Sequence, residues 1–156
     1  MTDLLVRLYE LPSIEAALAA IAAHGVAVRR ALAPEKPQVL AWVLSHYPDW
    51  TAEVDATFAR LPVACFVALR EQALLGFACY DGIARNFFGP TAVLEAERGR
   101  GIGRALLLAA LHAQRAQGYA YSIIGGVGPA DFYAKTVGAV PIAGSNPGVY
   151  AGRLRR

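Results

Sequence analysis

The sequence predicts a single mixed α/β domain, and three observations carry that reading. The chain has 156 residues, 56% of them hydrophobic, which is the size and apolar content of one ordinary domain with a sizeable core. Runs rich in alternating, β-branched and aromatic residues interleave with runs whose apolar residues recur every three to four positions. Proline and glycine mark most boundaries between them. The resulting order is β-α-β-α-α-β-β-β-α-β-α-β-β, with no linker, repeat or low-complexity segment.

The opening "LLVRLYE" alternates as a short strand and breaks at Pro12. Ser13 can cap a helix through "IEAALAAIAA", which Gly25 stops. "VAVRRAL" reads as a strand. Pro34 opens a helix in which Val39, Leu40, Val43, Leu44 and Tyr47 share a face, and Pro48 ends it. A short helix over about 51–59 follows, with Asp49 or Thr51 as its expected cap. "VACFVAL" and "ALLGFACYD" form a hairpin around "REQ". "NFFGPTAVL" is a third strand, and Gly89-Pro90 within it requires a bulge or an edge, since proline cannot donate to a ladder. A strong helix covers 103–117, "YAYSIIGGV" is a strand, and "PADFYAKTV" is a helix ending at Gly138. The tail "AVPIAGSNPGVYAGRL" reads as two short strands joined at Ser145–Gly148.

Fifteen basic and twelve acidic residues give a net charge of +3, which suits an anionic ligand but is too small to argue for nucleic acid. The tail Arg153-Leu154-Arg155-Arg156 carries part of that excess as a solvated end. Cys65 and Cys79 sit in apolar strands and read as buried free thiols in a reducing compartment. His24, His46 and His112 lack metal-ligand spacing, so no metal is expected. No apolar run approaches a membrane span, and the start lacks a signal-peptide pattern. A cytoplasmic protein is expected.

"LEAERGRGIGRALLLAAL" places three glycines and three arginines ahead of a long apolar helix. The first amides of a helix lack intrahelical partners and lie at the positive end of its dipole, where phosphates bind well. Glycines at 99, 101 and 103 remove Cβ atoms that would hold a diphosphate away, and Arg98, Arg100 and Arg104 add mobile positive charge. There is no Walker lysine, and the GxGxG spacing falls late in the chain, unlike a dinucleotide fingerprint. A plain glycine-rich turn with exposed arginines is the alternative.

This stretch resembles the acetyl-CoA-binding motif R/Q-x-x-G-x-G/A of the GCN5-related N-acetyltransferase (GNAT) family, matched by Arg98, Gly101 and Gly103. "DFYAKTVGAVPI" is similar to that family's later "FYEKLGF" segment. The element order fits from about residue 26 to 154. The resemblance implies a mixed central sheet with a splayed parallel strand pair, a core over 26–156 and an added N-terminal strand and helix over 1–25, all in one domain spanning 1–156.

It further implies that Ala92 and Val93 hold the pantetheine arm of acetyl-CoA through their main chain, and that the amides of Gly99, Arg100, Gly101, Ile102, Gly103 and Arg104 hold the diphosphate. Tyr133 aligns with the family's tyrosine and is the expected general acid. Trp42, Tyr47, Trp50, Phe87 and Phe88 are candidates to line an acceptor pocket. Two departures stand out: Gly125-Gly126-Val127-Gly128-Pro129 replaces a segment that often carries asparagine, and Glu95 replaces a proline after the splayed strand. No carboxylate falls in the central strands, which leaves Asp81 and Glu95 as candidate bases. A missing base favours a small acceptor amine of low pKa, because a lysine-like amine (~10.4) is protonated at neutral pH. The expected activity is transfer of acetyl from acetyl-CoA to a small-molecule amine by direct attack. A non-catalytic acyl-CoA-binding module on the same fold is the alternative. The N-terminal strand offers an edge for a homodimer.

Overall fold

In a computed structural model, residues 1–126 and 128–154 are described. Val127, at the end of one expected strand and within the glycine-rich segment, and the tail residues Arg155 and Arg156 lie outside them. The chain runs β1 (Leu4–Arg7), α1 (Glu15–Ala22), β2 (Val26–Arg30), α2 (Lys36–His46), α3 (Thr51–Thr57), β3 (Cys65–Arg70), β4 (Ala73–Tyr80), β5 (Phe87–Val93), α4 (Ile102–Ala116), β6 (Tyr121–Ile124), α5 (Ala130–Val137) and β7 (Val140–Pro141). The strands form one sheet in the order β2-β3-β4-β5-β6-β1-β7.

Side-chain alternation divides the core into two layers. Phe66, Ala68, Ala78, Tyr80 and Phe88 face α4, α1 and α5. Cys65, Val67, Leu69, Phe77 and Cys79 face α2 and α3, packing on Val39, Val43 and Val54. Both cysteines are free and buried, as their apolar surroundings implied. Helix α4 lies between the sheet and α1, and Leu106, Leu107, Leu108 and Leu111 are all buried. A helix enclosed on several sides needs apolar residues around most of its circumference, which accounts for "ALLLAAL". Among the described residues no helix is long and apolar enough to cross a membrane.

The feature that shapes the site is the β5–β6 pair. The two strands run parallel and pair only at Phe87↔Ile123 and Phe88↔Ile124. Gly89 then turns to φ +115°, and Pro90 has no N–H to give. Against β4, Ala78 pairs with Thr91 and Tyr80 with Phe88, so Gly89 and Pro90 together oppose Cys79. This is the bulge expected from the sequence. Beyond it β5 stays on β4 and separates from β6, forming the splayed pair.

Two expectations are corrected. The tail contributes one strand, not two. The edge of β6 that a second tail strand would take is already filled by β1, with Leu4 opposite Ile124 and Arg7 opposite Tyr121. The short β7 pairs on the far side of β1 instead, and the chain then turns at Gly148–Tyr150. The N-terminal strand thus lies between β6 and β7, with Leu4 and Leu5 paired to β7; Leu4, Val6, Leu8 and Ile21 are core residues. At α3, Trp50 occupies the cap position without a side-chain bond, and the Thr51 hydroxyl donates back to the Pro48 carbonyl at 2.9 Å. The one-turn helix at Pro48–Trp50 runs straight into α3, which removes the need for a capping side chain.

Candidate active site

From the end of β5 the chain passes through a single turn at Glu95–Glu97, then through Gly99 (φ +79°) and Gly101 (φ +86°), to α4. Gly101 caps the helix in the left-handed region, which side chains with a Cβ rarely adopt. Ala105 N–H bonds the Gly101 carbonyl, so the amides of Ile102, Gly103 and Arg104 precede the first intrahelical bond. Gly103 has no conformational need to be glycine. A Cβ there would meet only Val93 Cγ2, at 3.8 Å, so the space it leaves belongs to the groove outside.

That groove is a cavity of about 560 Å³ between β5, the loop, α4 and α5. Ala92, Val93, Arg98, Gly99, Gly101, Ile102, Gly103 and Arg104 all line it, so eight of the nine residues expected to hold the cofactor come together there. Their roles divide differently from the expectation. Leu94 N–H donates to Leu75 C=O at 2.8 Å. Antiparallel alternation then sets the main chain of Ala92 against Phe77 and turns that of Val93 and Thr91 toward the groove. Ala92 therefore borders the groove without main-chain groups to offer it. The Val93 carbonyl accepts from Arg98 Nε at 3.3 Å, and Arg98 Nη2 reaches the Tyr47 hydroxyl at 3.4 Å.

The arginines are less mobile than their sequence implied. Arg100 donates to Glu97 at 2.8 Å, and Glu97 also takes two bonds from Arg70 at 2.8 and 3.0 Å. Arg70 beside it, with help from Arg100, holds the Glu97 carboxyl below its usual range. Arg100, the ninth expected cofactor residue, does not line the groove; it pairs with Glu97, which does. The i,i+3 spacing of Glu97 and Arg100 was the available signal.

A second cavity, of about 780 Å³, adjoins the first. Trp50, Phe88, Thr91, Pro129 and Tyr133 line both. Tyr133 stands at this junction with 6% exposure, edge-on to Phe88 and Phe132. Burial pushes its phenol up to about 12, and no hydrogen bond within the described residues reaches its hydroxyl. Of the other aromatic candidates, Tyr47 lines the first groove, stacked on Trp50 at 4.7 Å. Trp42 stacks on His46 and lies edge-on to Phe77, and Phe87 belongs to the core; neither lines either cavity.

Neither candidate base lines the second cavity. The Asp81 side chain is 4% exposed and pairs with Arg60 at 2.9 Å while accepting from the Asn86 amide at 2.7 Å. It closes the β4–β5 loop. Glu95 is exposed on the turn after β5. The carboxylates that do line the second cavity are Asp3, Asp49 and Glu53. Sequence reasoning missed them because it sought the base on the central strands. The position of Glu53 near Trp50 in one short helix was a usable signal, whereas Asp3 depends on a pairing that no local pattern reveals.

Comparison with known proteins agrees with this geometry. Residues 62–136 match the family model for the acetyltransferase (GNAT) domain. No curated protein matches the chain. Among solved structures, the chain is similar to a GCN5-related glucosamine N-acetyltransferase region of a fungal multi-domain GH3 β-N-acetylglucosaminidase, with 17% identity and a TM-score of 0.75 over 90% of this chain; the chain spans only 19% of that protein. A GNAT family acetyltransferase from Brucella melitensis in complex with acetyl-CoA is 22% identical, with a TM-score of 0.53 over 72% of this chain and 81% of that one. An aminoglycoside acetyltransferase from an uncultured soil metagenomic sample is 16% identical, with a TM-score of 0.55 over 72% and 88%. At such identities the likeness concerns the fold. Motif, family-model match over residues 62–136 and fold all point to the GNAT acetyltransferase domain.

Proposed function

We infer that the chain transfers an acetyl group from acetyl-CoA to a primary amine of a small acceptor. One observation carries this reading: a groove ending in helix amides and a second cavity meet at Tyr133, beside the point where β5 leaves β6. The open space at Gly103 fits a diphosphate, and the outward main chain of Val93 and Thr91 suits an extended pantetheine arm. Acetyl-CoA supplies an activated thioester carbonyl.

The residues of the chain then do three things. The amides of Ile102, Gly103 and Arg104 bind the diphosphate at the helix dipole. The groups at the splay fix the carbonyl beside the second cavity, from which the amine attacks. Tyr133, protonated at neutral pH, donates to the departing thiolate. The neighbours bound to acetyl-CoA or described as glucosamine and aminoglycoside acetyltransferases support an amine acceptor. Thermal stabilisation by coenzyme A but not by ATP or NAD, followed by thiol release from acetyl-CoA with glucosamine, an aminoglycoside and simple amines, tests the reading.

A non-catalytic acyl-CoA-binding module is the second reading, favoured by the distance of Asp81 and Glu95 from the acceptor cavity. Stabilisation by coenzyme A without thiol release for any amine supports it.

A further inference from the structure

Asp3 is a buried carboxylate short of hydrogen-bond donors, and it faces the acceptor cavity. It precedes β1, whose Leu4 lies opposite Ile124. Asp3 therefore stands beside Gly125, where β6 has just parted from β5. Its main chain is fixed on both sides: its N–H donates to the Ser145 hydroxyl at 2.8 Å, and its carbonyl accepts from Ile142 N–H at 2.9 Å. Asp3 is 7% exposed, yet among the described residues the one donor to its carboxylate is the Gly126 amide, 3.4 Å from Oδ1. Among the described residues Oδ2 has no partner.

The neighbouring glycines keep this carboxylate clear. A Cβ on Gly125 would lie 3.6 Å from Oδ1, and one on Gly148 would lie 3.2 Å from Oδ2. A largely buried carboxylate with a single long donor needs further donors from whatever fills the cavity. Asp49 and Glu53 line the same space but each has a partner of its own.

We propose that Asp3 is the proton acceptor for the attacking amine, supplied by the N-terminal strand and not by a central one. This rests on the acetyl-transfer reading above. The acceptor arrives as an ammonium and gives one proton to Asp3, which passes it to solvent. The free amine attacks the thioester carbon; the C–N bond forms and the C–S bond breaks. The thiolate takes the Tyr133 proton, and the second proton lost from nitrogen returns through solvent to the Tyr133 phenolate. The balance is one amide, one thiol and one released proton. With a carboxylate so placed, the acceptor is an ordinary basic amine, and the restriction to weakly basic amines falls away.

The test compares wild type, Asp3→Asn and Asp3→Ala on ethanolamine, glycinamide, glucosamine and trifluoroethylamine at one pH, following thiol release. Asp3→Asn keeps an acceptor for the Gly126 amide. Loss of a base costs about 10²- to 10⁴-fold for strongly basic amines. The expected result is therefore at least a hundredfold loss with ethanolamine, a much smaller loss with trifluoroethylamine, unchanged stabilisation by coenzyme A, and partial rescue of Asp3→Ala by formate. Equal loss on every amine, or none, overturns the role of Asp3 while leaving the acetyl-transfer reading intact. No thiol release by wild type with any amine overturns that reading first, and the role of Asp3 with it.

Discussion

The ring of Tyr133 stands edge-on to that of Phe88, with centroids 6.2 Å apart and planes at 69°. Phe88 is the last residue of β5 that pairs with β6. The contact thus fixes the phenol from α5 at the fork of the sheet, where the two cavities join. Tyr133→Phe preserves this packing and removes only the hydroxyl. Turnover should fall by about a hundredfold or more, as for loss of a general acid, while coenzyme A binding stays within about twofold. Stopped-flow thiol release and calorimetric titration of the two proteins separate these quantities.

The same phenol has a spectroscopic signature. Burial raises its folded-state value from 10.0 to about 12. A group whose folded value is raised stabilises the fold fully below its unfolded value, and that contribution is lost as pH climbs from about 10 to about 12. Tyrosinate absorbance should show a late-titrating component in wild type that Tyr133→Phe lacks. A component missing near 10 instead would place the hydroxyl in solvent.

Gly103 separates fold from ligand. Its Cβ position is open on the protein side, and a helix gains stability when glycine is replaced. Gly103→Ala should therefore leave the melting temperature equal or higher while reducing coenzyme A affinity by about tenfold or more. Melts with and without coenzyme A measure both at once. Unchanged affinity would mean that the diphosphate does not approach this turn.

Arg98 bridges the Val93 carbonyl and the Tyr47 hydroxyl across the groove. A charge-assisted bond contributes about 1.5–3 kcal/mol. Arg98→Ala should weaken coenzyme A binding by one to two orders of magnitude, with little effect on pantetheine, which lacks the diphosphate. Equal weakening of both ligands would assign Arg98 to the arm of the cofactor and not to its phosphates.

Away from the site, Arg29 donates to Glu35, and together with the Leu32 amide it holds that carboxyl down at about 2, against an ordinary 4.5. A depressed carboxyl stabilises the fold above its unfolded value, and the contribution disappears as pH falls from about 4.5 to about 2. Both side chains are partly exposed, at 42% and 32%, so screening keeps the effect small. Glu35→Gln should melt a few degrees lower at pH 7 and coincide with wild type near pH 2. A constant gap across that range would remove the ion pair as its source.

Most elements were legible in the sequence because their causes are local. Helix α4 carries apolar residues through four turns, and Pro48 and Gly138 stop α2 and α5 where expected. The bulge followed from Gly89-Pro90 alone. The cofactor loop was legible because its glycines and arginines are contiguous. What escaped depended on distant partners. Nothing near Asp3 announces that β1 will lie beside β6, and nothing near Arg98 shows that its guanidinium will meet Val93 and Tyr47. Asp81 was drawn to the site by its place at a strand end, but Arg60, twenty-one positions away, engages it elsewhere.

The strand between β6 and β7 has a consequence for how the molecule assembles. Leu4 waits for Ile124 and Pro141, so this strand, made before the rest of the domain, is among the last to find its neighbours. Pairings between such remote stretches form slowly, because loop closure must come before any contact compensates for it. The first groove, most of whose lining comes from residues 88–107, can take shape while the second cavity still lacks Asp3. Of the two cavities, the second is therefore the later to mature.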